Sequence, residues 1–161
     1  ALIKRGLAGP NTVVVSPDVG GVARARSLAE QLGSPIAIIA KRRPEPNQVE
    51  ILEIVGDVAG RTCVMIDDMI DTAGTTTQAA QALKDNGARR VSAACTHAVL
   101  SGPAIERINA SVLEEVIACD TTPLEDKADV CGKLKVLSVA PLLAEAIKRI
   151  HEESTISSLF V

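Results

Sequence analysis

The sequence predicts an α/β fold: a central, mostly parallel sheet of about five or six strands with helices on both faces. Strand-sized apolar runs alternate with segments of helical period, and the links between them are short. The chain is 47% hydrophobic yet has one Phe and no Trp or Tyr, so its core must be built from Val, Ile, Leu and Ala. Such side chains fill the space between a parallel sheet and its covering helices. A length of 161 residues supports one core of ordinary size, so residues 1–161 are expected to form a single domain.

Taken in order, Ala1 to Gly9 reads as the tail of a helix, with Leu2, Ile3 and Leu7 but no start signal before them. The chain is therefore expected to begin inside a larger architecture. Thr12 to Ser16 is the first strand. Gly21 to Leu32 has Val22, Ala25, Ala29 and Leu32 on one helical face, and Gly33 stands where a left-handed C-cap is wanted. Pro35 to Ala40 is a second strand. Lys41-Arg42-Arg43-Pro44-Glu45-Pro46-Asn47 follows it, and the two prolines forbid continuous helix or sheet, which predicts a mobile basic loop. A third strand, Thr62 to Asp67, leads to a helix over Thr75 to Asn86, with Ala79, Ala82 and Leu83 inward and Gly87 after its end. Further strands are expected at Arg90 to Thr96, Glu115 to Cys119 and Lys135 to Val139, with helices at Pro103 to Asn109 and Pro141 to His151.

The formal charge of -3 gives no basic footprint for nucleic acid, so any anionic ligand must be held locally. No apolar run approaches the roughly 20 residues of a membrane span. No signal-peptide pattern opens the chain, and a cytoplasmic location is the expectation. Cys63, Cys95, Cys119 and Cys131 are widely separated with no CxxC pair, and read as buried free thiols.

The chemistry concentrates in Val64-Met65-Ile66-Asp67-Asp68-Met69-Ile70-Asp71-Thr72-Ala73-Gly74-Thr75-Thr76. A buried strand delivers two adjacent carboxylates and then a small-residue loop that opens a helix. Small side chains at Thr72, Ala73 and Gly74 let backbone N–H groups approach a phosphate, which also meets the positive end of the helix. Thr72, Thr75 and Thr76 add hydroxyl donors. Asp67 and Asp68 can accept hydrogen bonds from sugar hydroxyls about one ribose length away. The plainer alternative is that Asp71 and Thr72 cap the helix and the acidic pair is a solvated strand end. The order strand, acid pair, third Asp, Gly and two Thr favours the phosphate site.

Val15-Ser16-Pro17-Asp18-Val19-Gly20-Gly21-Val22 ends the first strand, with Arg24 and Arg26 on the helix that follows. Asp18 suits a hard cation such as Mg2+, directly or through water. Lys41 and Arg43, on the basic loop, could close over a polyphosphate and neutralise charge during phosphoryl transfer. His97 reads as a hydrogen-bonded structural histidine.

The stretch from Asp67 to Thr76 resembles the phosphoribosyl pyrophosphate signature shared by type I phosphoribosyltransferases and ribose-phosphate diphosphokinases. The Ser-Pro-Asp-x-Gly-Gly turn and the Lys-Arg-Arg-Pro loop resemble the diphosphokinases in particular. Thr96-His97, Leu100 to Ala104, Leu137 to Leu143 and Ser158-Leu159-Phe160 are similar to the same family, so the likeness covers essentially the whole chain. It implies a type I phosphoribosyltransferase-like fold and the C-terminal, ribose-5-phosphate-binding half of a Mg2+-dependent enzyme. In that reaction the anomeric hydroxyl of ribose 5-phosphate attacks the β-phosphorus of ATP, giving phosphoribosyl pyrophosphate and AMP.

Carried over by resemblance, Asp71, Thr72, Ala73, Gly74, Thr75 and Thr76 hold the 5'-phosphate, Asp67 and Asp68 the ribose hydroxyls, and Asp18 the metal. Lys41 and Arg43 stabilise the transferring group. Thr155, Ser157 and Phe160 belong to an allosteric site for phosphate or ADP between subunits of a homo-oligomer. The family's N-terminal domain supplies most of the ATP pocket, and this sequence contains no counterpart, so ATP is expected to bind mostly through that domain. Two alternatives remain open: a small phosphoribosyltransferase, which needs a hood segment over the base, and a non-catalytic regulatory subunit.

Overall fold

The computed structural model describes residues 1–42 and 51–159. Its centre is a seven-stranded sheet. The strands are β1 (Thr12–Ser16), β2 (Ile36–Arg42), β3 (Ile51–Val55), β4 (Thr62–Ile70), β5 (Arg90–Ala98), β6 (Val116–Cys119) and β7 (Leu134–Leu137), in the spatial order β3-β2-β1-β4-β5-β6-β7. All neighbours run parallel except β2 and β3. The helices are α1 (Val22–Leu32), α2 (Gly74–Asp85), α3 (Ala104–Ala110), α4 (Glu125–Val130) and α5 (Ala140–His151). No helix among the described residues is long and apolar enough to cross a membrane.

The parallel sheet with helices on both faces is as the sequence predicts, but it is larger. Ile51–Val55 adds an antiparallel strand, with Lys41 opposite Leu52 and Arg42 opposite Ile51. Lys41 and Arg42 therefore extend β2, where the sequence placed the start of a loop. The run Ile51-Leu52-Glu53-Ile54-Val55 is too short and too uniformly apolar to be told from other buried segments by period alone. Only its partner, β2, decides its state. Arg43, Pro44 and Pro46, the rest of the expected basic loop, lie outside the described residues. The N-terminal segment is a single 3-10 turn over Ile3–Arg5, not a helix tail, and it ends at Gly6. Strands β4 and β5 run on to Ile70 and Ala98, past the ends expected for them.

Alternation along β1 divides the core. Val13 and Val15 join α2's Ala79, Ala80 and Leu83 in one cluster, whereas Val14 joins α1's Ala25, Ala29 and Leu32 in another. α1 and α2 thus cover opposite faces of the sheet. Each fully buried aliphatic side chain, such as Ile39 or Leu83, stabilises the fold by about 1.5–3 kcal/mol. Gly33 has φ 60 and donates its N–H to the carbonyls of Ala29 and Glu30, closing α1 as expected.

Because β1 sends its chain through α1 to β2 on one side, and β4 sends its chain through α2 to β5 on the other, the strand order reverses direction between β1 and β4. The connections part there and leave a crevice at the carboxyl ends of the strands. Pairing of β4 with β1 stops at Met65, and β4 continues beyond its shorter neighbour. Asp67 and Asp68 stand on that overhang.

Candidate functional site

A cleft of about 230 Å3 at this switch point is lined by Asp18, Asp67 and the run from Met69 to Thr76. Its floor is the turn from β4 into α2. Ala73 takes a left-handed conformation with φ 58 immediately before the helix, a conformation that strains any residue with a Cβ. No side chain caps α2 and no acidic residue lies in its first turn. Asp71 and Thr72 therefore do not cap the helix, and the backbone N–H groups there are free of side-chain acceptors from the cap position.

The turn is held from outside by the segment that follows β5. Leu100 and Ser101 donate backbone N–H groups to the carbonyls of Ile70 and Asp71, each at 3.1 Å. The Ser101 hydroxyl donates to Asp71 Oδ1. Arg107 on α3 donates to the Thr72 carbonyl at 3.0 Å, and a Cβ at Gly74 would lie 3.4 Å from the same guanidinium. No local pattern marks Ser101 or Arg107 for this contact, because both reach the turn from elements 30 or more residues further along the chain. Within the turn itself, Thr77 donates to the Ala73 carbonyl at 2.9 Å.

On the other wall, Ser16 Oγ donates to the Asp18 carbonyl at 2.7 Å, and Gly21 N–H donates to Asp18 Oδ1 at 2.8 Å. A Cβ on Gly21 would come within 2.8 Å of Ser16 Oγ, which explains the glycine. This cinched turn launches α1 so that Arg24 reaches across to β4. Its Nη1 lies 3.0 Å from Asp67 Oδ1 and its Nη2 lies 3.1 Å from Asp68 Oδ2. Asp67 Oδ1 also accepts the Asp68 backbone N–H at 2.9 Å.

The two carboxylates shift in opposite directions. Burial, and then hydrogen bonding with Asp68, raises the Asp67 carboxyl above the ordinary range. Asp68 is held low by the hydrogen bond from Asp67 and by the Arg24 charge. Of the two, Asp67 is the carboxyl that holds its proton more readily.

His97, beside Met69 on the neighbouring strand, is tied by Nδ1 to Thr121 Oγ1 at 2.9 Å, and Thr121 donates its hydroxyl to the Thr96 carbonyl at 2.7 Å. The single Thr121 hydrogen is thereby used, so His97 Nδ1 carries a proton and donates it. Cys63, Cys95 and Cys131 are buried, and burial pushes the Cys63 thiol up to about 11 and Cys95 to about 12.

The structure thus brings together Asp18, Asp67 and Asp71 to Thr76 in one cleft, with Asp68 beside Asp67. It places Lys41 in β2, with Arg43 outside the described residues. Thr155 and Ser157 follow α5, where Ser157 N–H donates to Thr155 Oγ1 at 3.2 Å, and neither lines the cleft. Phe160 lies outside the described residues.

Residues 43–161 match the family model described as "Phosphoribosyl synthetase-associated domain". The chain belongs to this family. It is 59% identical over 150 residues to a ribose-phosphate pyrophosphokinase of Bordetella pertussis, covering 93% of this chain and 48% of the relative. It is 57% identical over 157 residues to the ribose-phosphate pyrophosphokinase of Halalkalibacterium halodurans, covering 98% of this chain and 49% of the relative. A solved phosphoribosylpyrophosphate synthetase from Mycobacterium smegmatis superposes with a TM-score of 0.83 at 44% identity, over 94% of this chain and 49% of that one. This phosphoribosyl synthetase-associated domain spans about half the length of the curated relatives it matches.

Proposed function

We propose that this chain is the ribose-5-phosphate-binding half of a ribose-phosphate diphosphokinase. The observation that carries the proposal is one cleft that joins an uncapped, acid-free helix N-terminus behind a left-handed Ala73 to the Asp67 carboxylate, with Asp68 beside it. The first suits a phosphate dianion, worth about 0.3–1 kcal/mol from the helix end alone. The second suits vicinal hydroxyls. Asp71 to Thr76 hold the 5'-phosphate, and Asp67 with Asp68 accepts the sugar hydroxyls. The names of the relatives support the same reading.

In the reaction, the oxygen of the anomeric hydroxyl bonds to the β-phosphorus of ATP, and the bond from that phosphorus to the α-phosphate oxygen breaks. AMP leaves, and the hydroxyl proton passes to solvent. The cleft orients the hydroxyl, which is most of what a protein supplies in phosphoryl transfer. Lys41 and Arg43 are proposed to neutralise the transferring group, and ATP is proposed to bind mostly to the half of the relatives that this chain does not span.

Mg2+ is the metal proposed for this cleft, with Asp18 in its lining as the carboxylate that would hold it. Mg2+ keeps its waters and takes one or two carboxylates plus substrate phosphates, a demand that Asp18 at the rim meets. When bound, it supplies neutralisation of diphosphate charge. Phosphate or ADP as effectors at Thr155, Ser157 and Phe160, assembly as a homo-oligomer and a cytoplasmic location belong to the same reading.

Calorimetric titration tests it. Ribose 5-phosphate should bind saturably, and ribose should bind at least about tenfold more weakly, because it lacks the charge-assisted contacts of the loop. Equal binding of the two, or no saturable binding of either, overturns the assignment. Ribose-dependent AMP formation from Mg-ATP by this chain alone would show that it carries its own ATP site.

A further inference from the structure

Arg24 and the acidic pair come from elements 43 residues apart, yet the guanidinium meets both carboxylates at once. Stability does not explain the arrangement. The Arg24 side chain is 39% exposed and that of Asp68 is 63% exposed, and an ion pair so wet contributes little to folding. What it changes is the charge state of the cleft.

Two adjacent carboxylates repel, and a buried one prefers its proton. Asp67 has both pressures on it, from Asp68 on its own strand and from burial. Other ionisable groups around it are Cys95, opposite it on β5, and two that line the cleft with it, Asp18 from the β1–α1 turn and Asp71 from the turn into α2. Cys95 is neutral because burial holds its thiol protonated, and Asp18 adds negative charge. Among the described residues, Arg24 is the cation that meets the pair directly. The guanidinium takes one oxygen of each group, Asp67 Oδ1 and Asp68 Oδ2, and leaves Asp67 Oδ2 and Asp68 Oδ1 outside its grip. A carboxylate has room for about four acceptor contacts, so an Arg-bound pair can still receive sugar hydroxyls.

We infer that Arg24 is a positioning residue of the sugar site, bridging Asp67 and Asp68 so that both stay ionised and present acceptor oxygens to vicinal hydroxyls. A neutral residue at this place lets Asp67 take a proton and donate it to Asp68, and the pair then offers one acceptor group in place of two. The inference rests on the ribose-5-phosphate reading of the cleft and adds a charge-control element from α1. Lysine, a point charge without the fork, cannot hold both oxygens in one fixed geometry, yet it keeps the cation.

The test is the pH dependence of ribose 5-phosphate affinity in Arg24→Gln, Arg24→Lys and the unaltered chain. The ligand phosphate titrates near the same range, so affinities are taken as the ratio of variant to unaltered chain at each pH. From about pH 8 to about pH 5 the ratio for Arg24→Gln should fall about tenfold, as expected for removing one opposite charge at contact distance. It should stay nearly level for Arg24→Lys. In an Asp67→Asn background, Arg24→Gln should add no pH dependence.

A ratio for Arg24→Gln that is low but level with pH would mean that Arg24 serves packing alone, and would sink the inference. Carboxyl carbon NMR titration reads the same quantity without ligand. The Asp67 resonance should titrate at higher pH in Arg24→Gln than in the unaltered chain, and an unmoved titration overturns the inference. If Asp67→Asn and Asp68→Asn leave sugar phosphate affinity unchanged, the site reading itself fails. The carboxyl titration then still decides the role of Arg24 in the charge state of the pair.

Discussion

Two aspartates stand at the carboxyl edge of the same sheet, Asp67 on the overhang of β4 and Asp120 just past the end of β6, and they behave oppositely. Beyond β6, Asp120 Oδ1 accepts the Val139 backbone N–H at 2.8 Å, and the Ser138 side chain and that N–H hold its carboxyl below the ordinary range. Beyond β1's last pairing with β4, Asp67 is pushed above that range by burial and by Asp68, and its cation comes from an exchangeable side chain on α1. A carboxylate fixed by its own chain's dipoles is a structural tie, here joining the end of β6 to the start of α5. A carboxylate balanced by a half-exposed arginine is one whose partners a ligand can join. Residue type and place in the sheet are alike, so the difference lies in what supplies the hydrogen bonds.

The comparison breaks most visibly by ligand affinity. Replacing Asp67 and Asp68 together by Asn should weaken ribose 5-phosphate binding by about 10- to 100-fold, the range for losing charge-assisted hydrogen bonds. Asp120→Asn should leave that affinity unchanged, and calorimetry reads both. If Asp120→Asn weakens binding as much, the division between tie and site is wrong.

A smaller effect sharpens it from the α1 side. Gly21→Ala puts a methyl 2.8 Å from Ser16 Oγ, so the serine must rotate and give up its bond to the Asp18 carbonyl. The cost should be about 1 kcal/mol in chemical denaturation, with a several-fold loss of sugar phosphate affinity because Arg24 is displaced with the turn. Unaltered stability would show that the turn relaxes freely.

The smallest effect is on acid stability. Asp120 has a depressed folded value, so its contribution is present above the ordinary carboxylate range and is lost as pH falls through that depressed value. Asp120→Asn should remove that contribution and flatten the acid limb of a melting-temperature profile below about pH 4. An unchanged limb would show that Val139 and Ser138 do not favour the charged form.

The sequence carried the strand, turn and helix around Asp67 to Thr76 in readable form, because an acid pair and small residues before a helix are local in the chain. It also carried six of the strands and the C-cap at Gly33, since hydrophobic period and glycine position are local signals. It did not carry β3, whose five residues take their state from β2, nor α4, whose six residues from Glu125 to Val130 are mostly polar. The N-terminal turn went the same way: Leu2, Ile3 and Leu7 fit a helical face, but only Ile3–Arg5 coils.

What the sequence determined by itself was the alternation of strands and helices, the aliphatic core and the chemistry of Asp67 to Thr76. All of these are set by side-chain period and backbone sterics over a few residues. Tertiary structure decided which distant groups meet that loop. Arg24, Ser101 and Arg107 approach it across 43, 30 and 35 residues of chain. Their contacts exist because parallel strands bring every carboxyl end to one edge of the sheet, a consequence of strand order that no local pattern encodes.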